Sequence, residues 1–343
     1  MKRSPASSLI HNSVLWRLIA ILVIVGVLAF MFVQAAQAAT GEVDSPTFAP
    51  GENRLLQTLL NGVIFGLLLA LSSVGLSLIY GTTGLSNFAH GEQVTFGAAS
   101  AYVAVVAGAP LWVAIVIAVF AGAASGWLQD VLLWKQLRKR NVPHMQQMIV
   151  SIGLALVLIN LLQIWIGPER VRLSTASPVK VHFGPFALTP QTAISMGICI
   201  VALGAVAYFL LRTRFGRATR AVADNPALAS ATGISVNRVI RGVWMLAAGL
   251  AALAGPLLAL YGDSLDFTLG SRILLLMFAA VTLGGLGHAF GAAIGALVIG
   301  IVAELTTVYA PTPDLKYAAV MGILILTLIV RPQGILGRKE RVG

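Results

Sequence analysis

One polar stretch in an otherwise apolar chain contains the residues whose types and spacing could do chemistry. Asn87, His90 and Glu92 lie within GTTGLSNFAHGE at 81–92. Histidine and glutamate can bind metals or transfer protons, but two ligands at this spacing do not make a metal site. The stretch therefore predicts either a tight, hydrogen-bonded turn between packed helices or part of a transport path. The residues concerned are Asn87, His90, Gly91 and Glu92.

Motifs for self-contained catalysis are missing from the sequence. The sequence contains neither G-x-x-x-x-G-K-[ST] nor H-E-x-x-H, so it brings no phosphate-binding loop and no zinc-protease motif of its own. Cys199 is the single cysteine, which excludes a disulfide framework and a cysteine-based metal site. We therefore expect no enzyme, no metal site and no cofactor in this chain.

The composition is typical of an integral membrane protein. Hydrophobic residues make up 58% of the 343 and charged residues only 10%, and the mean hydropathy is +0.89. This predicts an all-α polytopic membrane protein. The net charge of +11 would suit nucleic acid, but it is concentrated between apolar runs, as membrane topology requires. We therefore expect the lipid bilayer, and no nucleic acid, as a partner.

Apolar runs divide the chain into about nine membrane helices after an N-terminal segment. Residues 1–40 form a signal peptide, cleaved near Ala38, or an extra first helix, and 41–54 form an external linker. The runs at 93–108 and 270–286 are short enough to be tilted, broken or partly re-entrant. The nine predicted helices lie near 55–80, 93–108, 110–133, 145–167, 190–211, 241–261, 270–286, 289–309 and 315–330.

Of the 23 lysines and arginines, 17 fall into four blocks, at 1–17, 134–144, 212–241 and 331–343. Positive segments stay on the cytoplasmic side of the membrane. The predicted helices give four, two and four crossings between successive blocks, so each block returns to the same side. The tail at 339–343 is therefore predicted to be cytoplasmic, and 168–189 is an external loop with the alternation of a small hairpin.

The basic segment 212–241 carries six arginines and one acidic residue, Asp224. Within it, Asn225 can cap a helix and Pro226 suits the first helical position. Gly233 can take the left-handed conformation that ends a helix. The segment therefore predicts one short cytoplasmic helix of about two turns, which needs a partner to pack against.

Two features near the C-terminal end favour close helix packing or a polar path. Gly284, Gly285 and Gly287 open a glycine-rich run that continues with glycines every fourth residue, a spacing that lets helix backbones approach in lipid. Glu304 lies inside a predicted span, where an ionisable residue is costly. It either faces a polar path or pairs with Arg272 or Lys316 near the outer surface.

The sequence resembles the LivH-type permease subunits of branched-chain amino-acid ABC importers, a family with close urea and amide importers. The likeness covers about residues 55–338. The segments that carry it are NFAHGE at 87–92 after YG at 80–81, FGRATRAVADNPALASATGI at 215–234, LGGLGHAFGAAIGALVIGIVAE at 283–304 and RPQGILGR at 331–338.

The resemblance implies a permease domain at 55–338 in the bacterial inner membrane and a set of partners. These are a second homologous permease, two cytoplasmic ATPases that bind the ATP, and an extracytoplasmic solute-binding protein. It also implies that 218–234 is the coupling helix that docks on an ATPase. The residues expected there are Arg220, Asp224, Asn225, Pro226, Ala229 and Gly233. A urea or short-amide permease and a stand-alone secondary transporter are the alternatives.

Overall fold

The computed structural model describes residues 54–173, 181–183, 186–310, 312–331 and 333–337. The predicted signal peptide, nearly all of the 41–54 linker and the 339–343 tail lie outside the described residues. The described helices, in chain order, are α1 (Arg54–Thr83), α2 (His90–Val106), α3 (Leu111–Gln129), α4 (Lys135–Lys139), α5 (His144–Ile166), α6 (Pro190–Arg212), α7 (Arg214–Asp224), α8 (Pro226–Ala231), α9 (Val236–Tyr261), α10 (Leu269–Gly284), α11 (Ala289–Tyr309) and α12 (Leu315–Val330).

A helix occupies each of the nine predicted places, but the helices differ in length. In the described part of the chain, six helical stretches are long and apolar enough to cross a membrane. Helices α2, α10 and α12 have 17, 16 and 16 residues. At 1.5 Å per residue these helices are about 25 Å long, which is shorter than a hydrocarbon core of about 30 Å.

Small residues hold the centre of the molecule together. Glycines 62 and 66 of α1 lie against the backbone of α11, and Gly75 of α1 lies against the backbone of α9. In the most apolar 18-residue stretches of α1 and α9, 83% and 78% of the residues are buried. The corresponding values for α5 and α6 are 11% and 22%. The core is therefore α1, α9 and α11 with α2 and α10 between them, and α5 and α6 lie at the periphery.

Helices α2 and α10 both begin inside this core after a stretch of non-helical backbone. Residues 84–89 connect α1 to α2, and residues 262–268 connect α9 to α10. The two helix starts touch, since a Cβ added to Gly270 would lie 1.9 Å from the carbonyl oxygen of Gly91. Only glycine at both positions permits this approach of the two backbones.

The 168–189 loop contains the predicted hairpin. Strands β1 (Val181–Phe183) and β2 (Phe186–Leu188) pair antiparallel. The side-chain amide of Gln57 in α1 holds the hairpin, because its Nε2 donates to the Ala187 carbonyl at 3.0 Å and its Oε1 accepts from the Ala187 N–H at 2.9 Å. A two-stranded hairpin is marginal alone, and this clamp ties it to the helical core.

Ion pairs also join the 168–189 loop to the 262–268 connection. Asp266 pairs with Arg272 at 2.7 Å and with Arg170 at 3.6 Å, and it accepts hydrogen bonds from the N–H and hydroxyl of Thr268. Burial alone would raise the pKa of Asp266, but the hydrogen bonds from Thr268 and Arg272 outweigh burial and lower the pKa. The connection into α10 is thereby fixed at its outer end.

Candidate functional site

The polar stretch singled out in the sequence lies at the start of α2, buried against α1. His90 is fully buried, and its Nε2 lies 3.1 Å from the Ser72 carbonyl oxygen. Ser72 is about three turns before the end of α1 at Thr83. The chain therefore returns along α1 before α2 begins. Asn87 is also fully buried, and its Oδ1 accepts from the Ala89 N–H at 3.2 Å, which shapes the turn.

Two polar contacts join the starts of α2 and α10. The Ser271 hydroxyl donates to Oε1 of Glu92 at 2.6 Å, and the Gly270 N–H donates to the Thr95 hydroxyl at 2.8 Å. Glu92 is 2% exposed, and its Oε2 has no hydrogen-bond partner among the described residues. A buried carboxyl oxygen left unpaired is costly, so it marks a place for a donor.

A cavity of about 250 Å³ opens beside Glu92. It is bounded by α2, α3 and α5, and it combines three polar residues with an apolar wall. The lining residues are Glu92, Gln93, Phe96, Ser125, Leu158, Leu161, Leu162 and Trp165.

Hydrogen bonds between side chains join α2 to α3 beside this cavity. Gln93 is 2% exposed; its Nε2 donates to the Ser125 hydroxyl at 3.2 Å, and its Oε1 has no partner in the described part of the chain. The Ser125 oxygen accepts from Gln129 as well, at the long distance of 3.5 Å. The unpartnered oxygens of Glu92 and Gln93 each have less than 1 Å² of accessible surface, so neither opens into the cavity.

Within the described ranges, no group of three or more His, Cys, Asp or Glu side chains could hold a metal ion. His90 and Glu92 contact different neighbours, the α1 backbone and the start of α10. Both therefore contribute to the joint between α1, α2 and α10.

The basic segment folds into two helices, where the sequence predicted one. Thr213 is the N-cap of α7, and its hydroxyl accepts from the Gly216 N–H at 3.1 Å. It packs on the end of α6, where Gly216 lies against the backbone and Arg220 donates to the Leu210 carbonyl. The segment is also shorter than expected, because α6 runs through Arg212 and α9 already begins at Val236.

Helix α8 has the predicted ends. Asn225 is the N-cap, with its Oδ1 accepting from the Leu228 N–H at 2.9 Å, and Pro226 is the first helical residue. Gly233 follows the helix in the left-handed region at φ +88°. A cap with proline at the first position and a left-handed glycine beyond the end define the helix within six residues.

Two neighbouring residues of α8 differ sharply in exposure. Ala229 is 3% exposed and faces inward, so its side chain anchors the helix and does not lie on the outer surface. Leu228, which the sequence analysis did not single out, is 63% exposed. Helix α8 therefore projects from the bundle with a large apolar side chain on its outer face.

A buried ion cluster links this segment to α3. The helix that begins as α3 widens into a π-helical turn at Asp130–Trp134 before α4. Asp130 is fully buried, and it pairs with Arg138 at 2.5 Å and with Arg241 of α9 at 3.5 Å. Trp134 stacks on Trp244 of α9 with ring centroids 5.2 Å apart. These two contacts join the start of α9 to the π-helical turn at the end of α3.

The glycine-rich run is a packing element, as one reading of the sequence predicted. Gly284 and Gly291 bring the backbones of α10 and α11 into contact, and Gly287, at φ +77°, lies against Gly81 of α1. Gly285 is in the left-handed region, at φ +109°. A Cβ at these positions would collide with the neighbouring backbone, which explains why glycine occupies them.

Glu304 accepts a hydrogen bond from a residue that the sequence did not suggest, while Lys316, one of the two suggested partners, interacts with its carboxylate electrostatically. The Tyr261 hydroxyl donates to its Oε1 at 2.9 Å, whereas Arg272 pairs with Asp266. A single glutamate could be assigned to an outer helix end from sequence, but its neighbours on two other helices could not. The same holds for Gln93, Ser125 and Trp165, which no motif connects.

The comparisons with known proteins agree with this architecture. A family model described as "Branched-chain amino acid transport system / permease component" matches residues 58–329. The chain is 33% identical over 299 residues to the high-affinity branched-chain amino acid transport system permease protein LivH of Escherichia coli (strain K12), with 83% of this chain and 96% of the relative covered.

Two further relatives come from other organisms. The high-affinity branched-chain amino acid transport system permease protein BraD of Pseudomonas aeruginosa is 30% identical, with 83% of this chain and 96% of the relative covered. The probable branched-chain amino acid transport permease protein LivH of Methanocaldococcus jannaschii is 31% identical over 304 residues, with 84% and 93% covered.

Proposed function

The chain belongs to the family of branched-chain amino acid transport permease components, and from this premise we propose that it is the membrane subunit of an ATP-binding-cassette importer. Its cargo is a branched-chain amino acid. The chain supplies part of the path through the membrane, and its sequence contains no phosphate-binding loop. ATP is therefore bound by partner subunits, and the chain performs no covalent chemistry.

The observation that carries this proposal is the projecting helix α8. It is capped at both ends, anchored by one buried residue, Ala229, and otherwise exposed, with Leu228 on its outer face. A six-residue helix gains little stability alone, and a partner that covers Leu228 would remove its apolar surface from water. We propose that α8 docks on one of two ATPases and that Arg220, Asp224, Asn225, Pro226, Ala229 and Gly233 position it.

The remaining partners follow from the same proposal. A second, homologous permease completes the path, and an extracytoplasmic binding protein delivers the cargo at the side of the β1–β2 hairpin. The assembly lies in the bacterial inner membrane, with the 212–241 segment and the C-terminal tail in the cytoplasm, as the lysine and arginine distribution indicates.

The transport cycle is alternating access driven by ATP. Closure of the ATPase dimer displaces α8, and α7 transmits the displacement because it is packed on α6 and α9. The buried Asp130–Arg241 pair carries the movement on to α3. The packed helices then exchange between two arrangements that open the path to opposite sides.

A pair of matched substitutions tests the docking of α8. Leu228→Asp places a charge on the outer face of the helix, and aspartate is tolerated in a first helical turn, so the helix itself should form. Met145→Asp is the control, because Met145 is 66% exposed at the start of α5 and lies outside the segment.

The assay is ATP-driven leucine uptake into proteoliposomes that hold the complete importer, with ATP hydrolysis measured in parallel. Leu228→Asp should abolish uptake and stop the binding protein from stimulating hydrolysis, while the permease stays in the membrane. Met145→Asp should retain both activities. Normal uptake by Leu228→Asp would show that α8 is not the docking element.

A further inference from the structure

A basic cleft lies at the end of the long helical stretch that begins as α3. Its volume is about 380 Å³, and its lining combines three cations with two uncharged side chains. This volume lies within the range of about 300–1,000 Å³ that is usual for small-molecule sites. No carboxylate among the described residues lines the cleft. The lining residues are Val131, Lys135, Gln136, Lys139 and Arg140.

The three cations of the cleft differ from a fourth cation on the same helix. Arg138 turns inward and pairs with the buried Asp130 at 2.5 Å. Within the described parts of the chain, Lys135, Lys139 and Arg140 make neither an ion pair nor a side-chain hydrogen bond. The cleft therefore holds three uncompensated positive charges, and a cleft lined by one sign of charge attracts an occupant of the opposite sign.

Topology accounts for the sign of these charges but not for their arrangement. Cytoplasmic segments of membrane proteins are enriched in lysine and arginine, and Arg214 in α7 is an exposed example outside the cleft. In the cleft, three cations share one concave surface. Several charged donors around one concavity can contact a single anionic group together, which an isolated surface cation cannot do.

The depth of the cleft in the membrane points to a lipid headgroup as the anion. The helical stretch Leu111–Lys139 has 29 residues, which is about 43 Å at a rise of 1.5 Å per residue. About 20 residues cross a hydrocarbon core of about 30 Å, so a stretch that enters the core near Leu111 leaves it near Asp130. The cleft at 131–140 then lies in the headgroup layer.

The side chains just before the cleft form a surface that suits acyl chains. Trp127, Leu128 and Leu132 are 42%, 48% and 58% exposed, and all three precede the first cation of the cleft. Tryptophan is enriched where hydrocarbon meets headgroups, and lysine extends from that level toward the headgroups. One lipid molecule would contact both the apolar and the basic surface, whereas an acidic protein would contact only the basic one.

We propose that the cleft binds the headgroup of an anionic phospholipid. The lipid phosphate contacts the three cations, and the acyl chains lie along Leu128 and Leu132. A zwitterionic phospholipid is disfavoured because its ammonium group would find no carboxylate in the cleft. The bound lipid stabilises the π-helical turn at the end of α3, since Val131 belongs both to that turn and to the cleft. This inference goes beyond the proposed function and does not depend on the cargo.

Substitutions that remove or keep a charge test the cleft. Lys139→Gln removes one of its cations, Lys139→Arg keeps the charge, and Arg214→Gln removes an exposed cation elsewhere. Each full-length permease is purified, and its affinity for dioleoyl phosphatidylglycerol is measured by native mass spectrometry. Dioleoyl phosphatidylethanolamine is the zwitterionic comparison. The two lipids have the same acyl chains, so a difference in affinity reports on the headgroup.

The wild-type permease should bind the anionic lipid at least tenfold more tightly than the zwitterionic one. Lys139→Gln should weaken binding of the anionic lipid about fivefold, which corresponds to the contribution of about 1 kcal/mol from each basic residue near an anionic surface. Adding Lys135→Gln should bring the loss to about 25-fold. Lys139→Arg and Arg214→Gln should bind like the wild type. The melting temperature without added lipid should be the same in all variants, which separates loss of binding from loss of the fold.

Three results would overturn the proposal. Equal affinities of the wild type for the two lipids would show that the cleft does not distinguish the headgroups. A loss in Arg214→Gln as large as that in Lys139→Gln would show general attraction to a positive surface. If the double variant binds the anionic lipid like the wild type but binds the proposed ATPase partners more weakly, the cleft is a protein contact.

Discussion

Removing the N-cap of α8 is expected to weaken transport without disturbing the membrane bundle. The perturbation is Asn225→Ala, which deletes the side-chain oxygen that accepts from the Leu228 N–H at 2.9 Å. Asn225 lies at φ −158° and ψ 102°, an extended conformation that alanine also adopts before proline. The substitution therefore removes the cap and strains nothing.

The magnitude follows from the short length of α8. Loss of an N-cap costs about 1 kcal/mol, and 1.4 kcal/mol corresponds to a tenfold change in an equilibrium constant. The ratio of folded to unfolded α8 should therefore fall about fivefold. A helix of six residues is marginal alone and has no further turns to compensate, so uptake should fall, by at most the same factor.

Two measurements check this expectation. Hydrogen exchange of the purified permease should show about fivefold less protection at the amides of α8, and uptake by the reconstituted importer should fall in parallel. Asn225→Ser and Asn225→Asp are the matched controls, because both keep an oxygen that can cap the helix. The melting temperature should be the same in all four proteins, since α8 is peripheral.

Two results would refute the reasoning. If Asn225→Ala transports as well as the wild type, the cap does not limit the docked form of α8. If Asn225→Ser is as impaired as Asn225→Ala, the asparagine side chain acts by contacting a partner, and capping is not its role.

Three further predictions concern the bundle. Gly270→Ala should lower the melting temperature by several degrees because its Cβ would meet backbone, whereas Gly197→Ala, with nothing within 4 Å, should not; equal values would contradict the contact. Asp130→Asn should destabilise the protein by about 3 kcal/mol in thermal denaturation, since it leaves two partly buried arginines without their shared carboxylate, whereas Asp263→Asn at an exposed pair should cost about 1 kcal/mol or less. Because the folded-state pKa of Asp266 is lowered, its stabilisation should be present above about pH 4, the usual value for aspartate, and lost as the pH falls through the folded-state pKa; melting curves of Asp266→Asn that show the same acid dependence as the wild type would contradict this.

Local signals in the sequence sufficed for features that depend on a few adjacent residues. The ends of α8 follow from Asn225, Pro226 and Gly233, because capping is decided within one turn. Glycines four residues apart predicted a close helix contact, since that spacing leaves one helix face without side chains, and the structure places α10 at that face of α11. The alternation in the external loop predicted the hairpin.

Features that depend on distant residues could not be predicted from the sequence. Glu304 accepts a hydrogen bond from Tyr261, and Glu92 accepts one from Ser271, each on another helix. Ala229 faces inward because α8 rests on the neighbouring helices, which no pattern within six residues reveals. Helix α7 could have been found, because Thr213 is a capping residue followed by buried positions at Gly216, Thr219 and Val222 with helical spacing.

The end of α10 has a consequence for how the protein is made. A helix leaves its last carbonyl groups without partners, and here the carbonyls of Leu283 and Gly284 accept from the N–H groups of Ile335 and Leu336 at 2.7 and 3.0 Å. These donors are synthesised only after α11 and α12. A ribosome that stalls before them leaves α10 with an unsatisfied end, so maturation of the permease requires translation to proceed past both later helices.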